Sequence, residues 1–184
     1  MLSVAERAAA YERAGARAVS VLCDRNYFGG DFSHLAEARA ACSLPLLCKD
    51  FVLDEWQVDA ARAWGADAAL LIVRCLEPDR LRERQPLVEV ATEQEAQLAV
   101  EAEAEIVGVN ARDLDTLEMD ATRAGRVLES LPETVIPVHL SGLQSPADVS
   151  RVARSRAHAA LVGEALMRAD DPEPVLRQMV AAAD

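Results

Sequence analysis

The feature that most constrains this chain is a series of short, uninterrupted apolar runs that recur roughly every 20 to 30 residues. The residues within each run do not alternate with polar ones, which is typical of strands buried on both faces of a parallel sheet. Seven such runs are present, at 18–22, 44–48, 68–73, 87–90, 106–109, 135–138 and 159–162. They predict seven parallel strands.

Helical patterns rich in Ala, Leu, Glu and Arg separate the runs, at 33–42, 55–64, 93–102, 122–131 and 147–154. Regular alternation of strand and helix favours an α/β fold. Ser145 before Pro146, and Asp171 before Pro172, each place a capping side chain ahead of a proline, which is a typical start of a helix. Gly15 and Gly65 precede strands where a left-handed residue can end a helix.

The length and the strand count together suggest a reduced barrel. A (β/α)₈ or TIM barrel has eight strands and usually about 250 residues, whereas this chain has 184 residues and seven predicted strands. The connection between Val73 and Leu87 is short, so the helix predicted there, Pro78 to Arg84, has barely two turns. We therefore predict one domain over residues 1–184, with a parallel sheet derived from a TIM barrel.

Composition excludes several classes of protein. The 19 Lys and Arg against 31 Asp and Glu give a net charge of −12, which disfavours nucleic acid as a partner. No apolar run reaches the roughly 18 to 20 residues needed to cross a membrane, and the charged N-terminus is unlike a signal peptide. Four cysteines without a CxxC pair and three histidines without ligand spacing predict neither metal nor disulfides. We expect a cytoplasmic protein that does not bind membranes.

Polar residues close the apolar runs, at the strand ends where barrel enzymes build their active sites. They are Asp24, Lys49, Asp50, Arg74, Glu89, Asn110, Arg112, Ser141, Gly142, Gly163 and Glu164. Because carboxyl ends of parallel strands lie at one edge of a sheet, we expect Lys49, Glu89, Asn110, Ser141 and Gly163 to converge there.

Each of these residues also has a purely structural interpretation. Lys49 could be a solvated surface lysine. Glu89 lies inside an apolar run, where a carboxylate is costly unless it is paired, and a structural Lys–Glu pair would leave the same pattern as a catalytic acid and base. Asn110 and Arg112 could form a turn and a surface contact.

Two glycine turns indicate an anion site. Ser141–Gly142 and Gly163–Glu164 each end a strand and open a helix, where unpaired N–H groups and the helix dipole can bind phosphate. A barrel commonly holds phosphate in the loops after its last two strands. Turn chemistry alone would also explain these glycines.

Taken together, these residues resemble the indole-3-glycerol phosphate synthase family, cofactor-free barrel enzymes of tryptophan biosynthesis. The matching segments are SVLCDRNYFGGDFSHLAEAR, LPLLCKDFVLDEWQVDAARAWGADAALLIV, LVEV, IVGVNARDLDTLEMD and LVGEALMRADDPEPVL. The KDF, NxRDL and GEALM elements are specific, and they count against the neighbouring isomerase of the same pathway.

The resemblance implies a carboxy-lyase that closes 1-(2-carboxyphenylamino)-1-deoxyribulose 5-phosphate to indole-3-glycerol phosphate with loss of CO₂ and water. Lys49 then matches the general acid, Glu89 the acid/base carboxylate of the fifth strand, and Asn110 the substrate-orienting amide. Arg112, Ser141, Gly142, Gly163 and Glu164 fall where the family binds substrate and its phosphate. No metal and no cofactor are implied, and the partner is a small sugar phosphate.

The chain also departs from the family pattern. The family's first strand has no counterpart, the helix before the fifth strand is shortened, and Leu140 stands where the family usually has a carboxylate. We therefore expect very slow or undetectable turnover by this chain alone, and self-association through open sheet edges. The alternative is a degenerate, non-catalytic barrel that binds phosphate or a protein partner.

Overall fold

A computed structural model describes residues 2–76, 81, 87–113 and 116–183. The chain divides into two compact units. Unit 1 comprises the described residues up to Leu70 together with Ala169–Val180, and unit 2 comprises those from Leu71 to Arg168 and from Ala181 onward. The prediction of a single domain over 1–184 stays a prediction.

Unit 1 combines helices with parallel strands. Its elements are α1 (Val4–Arg13), β1 (Val19–Leu22), α2 (Arg25–Phe28), α3 (Ser33–Ala41), β2 (Leu46–Lys49), α4 (Glu55–Ala63), the start of β3 (Ala68–Ile72) and most of α9 (Pro172–Ala181). Strands β1 and β2 are parallel, with Val21 beside Cys48 and Leu22 beside Lys49. Strand β3 pairs with β2 in the same direction.

The core of unit 1 lies between the strands and the helices. Val19 and Val21 of β1 and Leu46 and Cys48 of β2 are buried in one cluster with α1 and α3 residues, among them Leu35. Alternate residues of a strand point to opposite faces, so Lys49 lies on the face of β2 that is turned away from this cluster.

Unit 2 carries four further parallel strands. Its elements are a 3₁₀ turn (Val73–Cys75), β4 (Leu87–Val90), α5 (Glu93–Glu101), β5 (Ile106–Asn110), α6 (Ala121–Ser130), β6 (Ile136–Leu140), α7 (Pro146–Ala153), β7 (Ala159–Leu161) and α8 (Glu164–Arg168). The strands pair consecutively and in parallel from β4 to β7. Strand β4 is buried along its whole length.

The predicted α/β fold of TIM-barrel type is confirmed: the described residues form seven parallel strands, whereas a complete barrel has eight. The expected caps are also confirmed. The Ser145 hydroxyl accepts from the Asp148 N–H with Pro146 in the first turn, and the Asp171 carboxylate accepts from the Glu173 N–H. Gly15 and Gly65 have φ of 94° and 102°, as left-handed helix ends require. The predicted helix Pro78 to Arg84 lies, except for Leu81, outside the described residues.

Within the described part of the chain, no helix is long and apolar enough to cross a membrane.

Candidate active site

The strand ends of unit 2 bring two of the predicted residues, Glu89 and Asn110, together. Glu89 on β4 lies beside Gly108, and Asn110 on β5 lies beside Leu140. Positions two apart on a strand share a face, so Glu89, Gly108, Asn110 and Leu140 line the same side of the sheet. This face therefore carries two buried polar side chains, those of Glu89 and Asn110.

Glu89 and Asn110 form a buried hydrogen-bonded pair. The Asn110 Nδ2 donates to Glu89 Oε1 at 2.9 Å, and the two residues are only 3% and 6% exposed. The Asn110 Oδ1 in turn accepts from the backbone N–H of Arg112 at 2.9 Å. Both ends of the amide are therefore engaged, and Asn110 fixes the orientation of the Glu89 carboxylate relative to the loop that follows β5.

Arg112 and Glu164 form a second polar contact. The Arg112 guanidinium lies 3.3 Å from the Glu164 carboxylate and also donates to the Leu117 carbonyl at 3.1 Å. Glu164 also forms an ion pair with Arg168 at 2.7 Å and accepts a hydrogen bond from Gln144. The structure thus connects the loop after β5 to the start of α8 through side chains predicted for the site.

The turn after β6 has an unusual backbone. Ser141 has φ of 69° and Gly142 has φ of 80°, and Ser141 is one of the few residues other than glycine with a positive φ. Strained residues of this kind occur most often at functional sites. Because Leu140 pairs with Leu161, this turn follows β6 directly beside the end of β7, where Gly163 and Glu164 lie.

Leu140 ends β6, at the position where the family resemblance predicts a carboxylate. It is buried, and its side chain lies directly over Gly108, where an added Cβ would come within 2.6 Å of the Leu140 Cδ1. The absence of a side chain at residue 108 therefore gives Leu140 its space. The position beside Asn110 on β6 is therefore apolar.

In unit 1 the predicted residue Lys49 closes β2. The Lys49 Nζ lies 5.2 Å from the centroid of the Phe28 ring, within the range of a cation–π interaction. Phe28 stacks on Phe51 at 5.7 Å with an interplanar angle of 7°, and Tyr27 meets Phe51 edge-on at 5.3 Å. Because Lys49 belongs to unit 1, its convergence with Glu89 stays a prediction.

Two of the strand-end residues have structural roles. The Asp24 carboxylate caps α2 by accepting from the Tyr27 N–H at 2.6 Å. Arg74 forms an ion pair with Glu95. Asp50 is buried next to Lys49, and burial raises the pKa of its carboxyl, against which hydrogen bonds from Phe51 and Gln57 act.

Three of the cysteines and one of the histidines, His139, are buried. All four cysteines are free thiols, and a hydrogen bond to the Cys48 side chain, together with burial, raises the pKa of Cys23. Burial lowers the pKa of His139, which lies on the opposite face of β6 from Leu140. Among the described residues, no group of three His, Cys, Asp or Glu side chains could hold a metal ion.

Sequence reasoning missed the aromatic residues around Lys49 and the role of Arg123. Arg123 of α6 donates to Asp113 and to the backbone carbonyls of Asn110 and Ala111, so it supports the loop after β5. One signal was available for Lys49: it is the only lysine among the 19 Lys and Arg residues of the chain. Every other Lys or Arg position of this chain is arginine, so the single lysine indicates chemistry that a guanidinium cannot perform.

Solved structures of similar fold include proteins whose names contain a phosphate compound, but they share little sequence with this chain. The thiamine phosphate pyrophosphorylase of Pyrococcus furiosus superposes with a TM-score of 0.78 at 16% identity, covering 97% of this chain and 88% of that one. The 3-hexulose-6-phosphate synthase of Salmonella typhimurium superposes with a TM-score of 0.77 at 14% identity, covering 99% of this chain and 94% of that one. At this identity the likeness establishes the fold alone.

Sequence comparison is more specific. The chain is 45% identical to the indole-3-glycerol phosphate synthase of Saccharopolyspora erythraea and 44% identical to that of Mycobacterium leprae, over 97% of its own length and 70% and 69% of theirs. It is 46% identical to indole-3-glycerol phosphate synthase 2 of Streptomyces coelicolor, over 96% of this chain and 72% of that one. A sequence model described as indole-3-glycerol phosphate synthase matches residues 2–179. The chain belongs to the indole-3-glycerol phosphate synthase family.

Proposed function

We propose that this chain is a carboxy-lyase that converts 1-(2-carboxyphenylamino)-1-deoxyribulose 5-phosphate to indole-3-glycerol phosphate. The observation that carries the proposal is the buried Glu89 carboxylate, held by the Asn110 amide at the strand ends of a chain from this family. Burying a carboxylate lowers the stability of the folded protein. A reaction that needs a positioned acid or base gives a functional reason for the buried Glu89.

The reaction consists of ring closure followed by two losses. The aromatic carbon that bears the carboxylate bonds to the ketone carbon of the sugar chain, CO₂ leaves from that aromatic carbon, and the new hydroxyl leaves as water. We assign Lys49 as the acid that protonates the carbonyl oxygen, regains a proton from solvent, and then protonates the departing hydroxyl. Glu89 takes up the proton released when the indole forms, and Asn110 orients the substrate. The family resemblance and the placement of these side chains at strand ends support the roles.

The substrate phosphate is assigned to the strand ends of β6 and β7. The backbone N–H groups of Ser141, Gly142, Gly163 and Glu164 would bind it, with the Arg112 guanidinium as its counter-charge. The positive φ of Ser141 and Gly142 supports this assignment, because successive residues of this kind turn N–H groups outward. The Arg112–Glu164 ion pair would open or share its guanidinium when phosphate binds. We expect phosphate-induced NMR shifts at residues 141–143 and 163–165.

The test is a fluorescence assay for the indole product with enzyme in excess over substrate, so that slow turnover is detected. Wild type should form product, while Lys49→Arg and Lys49→Ala should form none. Lys49→Arg retains the positive charge but cannot release a proton at neutral pH. The matched control is Arg17→Lys, a basic exchange at an exposed position of the same unit, which should leave the rate unchanged.

Two other outcomes would change the assignment. Phosphate binding without any turnover by wild type would favour the alternative of a non-catalytic barrel that binds phosphate or a protein partner. Product formed at the wild-type rate by Lys49→Arg would remove Lys49 from the chemistry. We further propose that the protein acts in the cytoplasm and associates with itself through the edge strands, since among the described residues of unit 2 strand β7 pairs with β6 alone. Light scattering over a concentration series tests the association.

A further inference from the structure

The short helix α2 places an aromatic ring against the lysine. Lys49 Nζ lies 5.2 Å from the centroid of Phe28, and Phe51 stacks on that same ring at 5.7 Å, nearly parallel to it. Tyr27 meets Phe51 at 65°, which limits how far the stack can slide. The ring that contacts the ammonium is therefore stacked on Phe51, and Phe51 is in turn contacted edge-on by Tyr27.

The backbone of α2 is fixed to the end of β1. Asp24 caps its first turn, and Gly29 ends it with φ of 62°. Gly30 then approaches the strand so closely that an added Cβ would come within 2.2 Å of the Leu22 carbonyl oxygen. The Gly30 N–H also donates to the Asp24 carbonyl at 2.7 Å. Helix α2 thus has little freedom relative to β1, and β1 is paired residue by residue with the strand that ends in Lys49.

We propose that Phe28 is a positioning residue for Lys49: its ring face attracts the ammonium and fixes where the amine points at the end of β2. Phe28 is 38% exposed, so burial in the core does not account for an aromatic side chain there. The face of an aromatic ring attracts a cation, whereas leucine of similar size only covers apolar surface. The inference rests on the proposed function for what Lys49 then does.

The first test needs no substrate. Because Lys49 is the only lysine, protein grown with ¹³C-labelled lysine gives one set of side-chain signals. In wild type the Lys49 ε-CH₂ protons should be shifted upfield by the Phe28 ring. Phe28→Leu should return them to the position seen in unfolded protein, and Phe28→Tyr should preserve the shift. Trp64→Leu, which removes another aromatic ring of similar exposure from unit 1, should change nothing.

The second test separates positioning from substrate binding. Phe28→Leu should lower kcat by about tenfold with little change in KM, because displacing a catalytic group by about 1 Å can cost up to 10²-fold in rate. Phe28→Tyr should restore kcat. A variant with raised KM and unchanged kcat would show that Phe28 binds substrate and does not position Lys49.

The two proposals fail in different ways. If wild type forms no product, the proposed function fails, while the Lys49 signal still decides whether Phe28 holds the amine. If the Lys49 protons have the same shift in wild type and in Phe28→Leu, the positioning role is overturned whatever the activity. An upfield shift in wild type and in Phe28→Tyr, lost in Phe28→Leu, supports it.

Discussion

The strand ends of the two units hold their charged side chains by different means. In unit 1 the Lys49 ammonium lies against a partly exposed ring, and Lys49 itself is half-buried. In unit 2 the Glu89 carboxylate is buried and receives a hydrogen bond from Asn110. A cation that water still reaches can be placed by a weak attraction, whereas a buried carboxylate requires a donor.

This difference determines what each region loses when it is altered. A change that removes the contact between Lys49 and Phe28 should affect the reaction with little effect on folding, because water can replace the lost contact. A change that removes the hydrogen bond between Glu89 and Asn110 should affect both, because the remaining side chain stays buried without that hydrogen bond. Four predictions test this contrast.

The largest expected effect is on activity, in Glu89→Gln. The amide has the shape of the carboxylate and its Oε1 can still accept from Asn110, so the fold should persist. A positioned acid or base typically contributes 10² to 10⁴ in rate, and we expect a loss of that size in single-turnover product formation. Chemical unfolding should give a free energy within about 1 kcal/mol of wild type, since removing a buried charge is not costly. A rate near wild type would show that Glu89 is structural.

The next effect is on stability, in Asn110→Ala. Removal of the donor leaves the Glu89 carboxylate buried without this hydrogen bond, which should lower the free energy of unfolding by about 2 to 3 kcal/mol. The loss should be smaller when the same change is made in Glu89→Gln, because a neutral amide tolerates burial better. Urea unfolding of the four proteins in this cycle measures the coupling. Equal losses in both backgrounds would mean that the pair is not coupled.

The Lys49 region has its own sensitive position in the backbone. Gly30→Ala would bring a Cβ to 2.2 Å from a backbone oxygen, and overpacking of this kind costs about 1 to 3 kcal/mol. Its neighbour Gly29 has a positive φ but open space around it, so Gly29→Ala should cost only about 1 kcal/mol.

The same two variants bear on α2 and the lysine. Gly30→Ala should also move the Lys49 proton signals, because α2 must shift away from β1. Gly29→Ala should leave the signals close to those of wild type. Equal effects of the two variants on stability and on the Lys49 signals would show that the close approach of Gly30 does not fix α2.

Sequence patterns predicted most of the framework because the framework depends on local chemistry. Continuous apolar runs gave strands within a few residues of those observed, and Ser145 with Pro146 predicted the start of α7. Strand β6 extends past the predicted end to Leu140 because His139 is accommodated on a buried face.

The side-chain partners were harder to predict because they depend on register. Nothing in the spacing of Glu89 and Asn110, 21 residues apart, states that their side chains meet, and the hydrogen bond follows only from the pairing of β4 with β5. The aromatic contacts of Phe28 likewise depend on α2, a four-residue helix too short for a periodic pattern. The composition singles out Lys49, because it is the only lysine of the chain, but it does not identify the aromatic rings around it.

The smallest predicted effect contrasts how the two units respond to pH. In unit 2, burial lowers the pKa of His139, and among the described residues its Nδ1 has no hydrogen-bond partner. The unfolded chain therefore binds a proton more readily than the folded one, so the free energy of unfolding should fall as pH drops below about 6.5. In unit 1 the raised pKa of Asp50 acts in the opposite direction and at lower pH, because there the folded chain binds the proton more readily.

The pH effect can be isolated with two histidine variants. One proton contributes at most about 1.4 kcal/mol per pH unit, so urea unfolding at pH 7.5 and 5.5 should differ by about 1 kcal/mol in wild type through His139. His139→Asn should reduce this difference, whatever its cost at neutral pH. His158→Asn, at an exposed histidine of the same unit, should retain it. A difference that persists in His139→Asn would show that His139 does not cause it and would remove the contrast between the units.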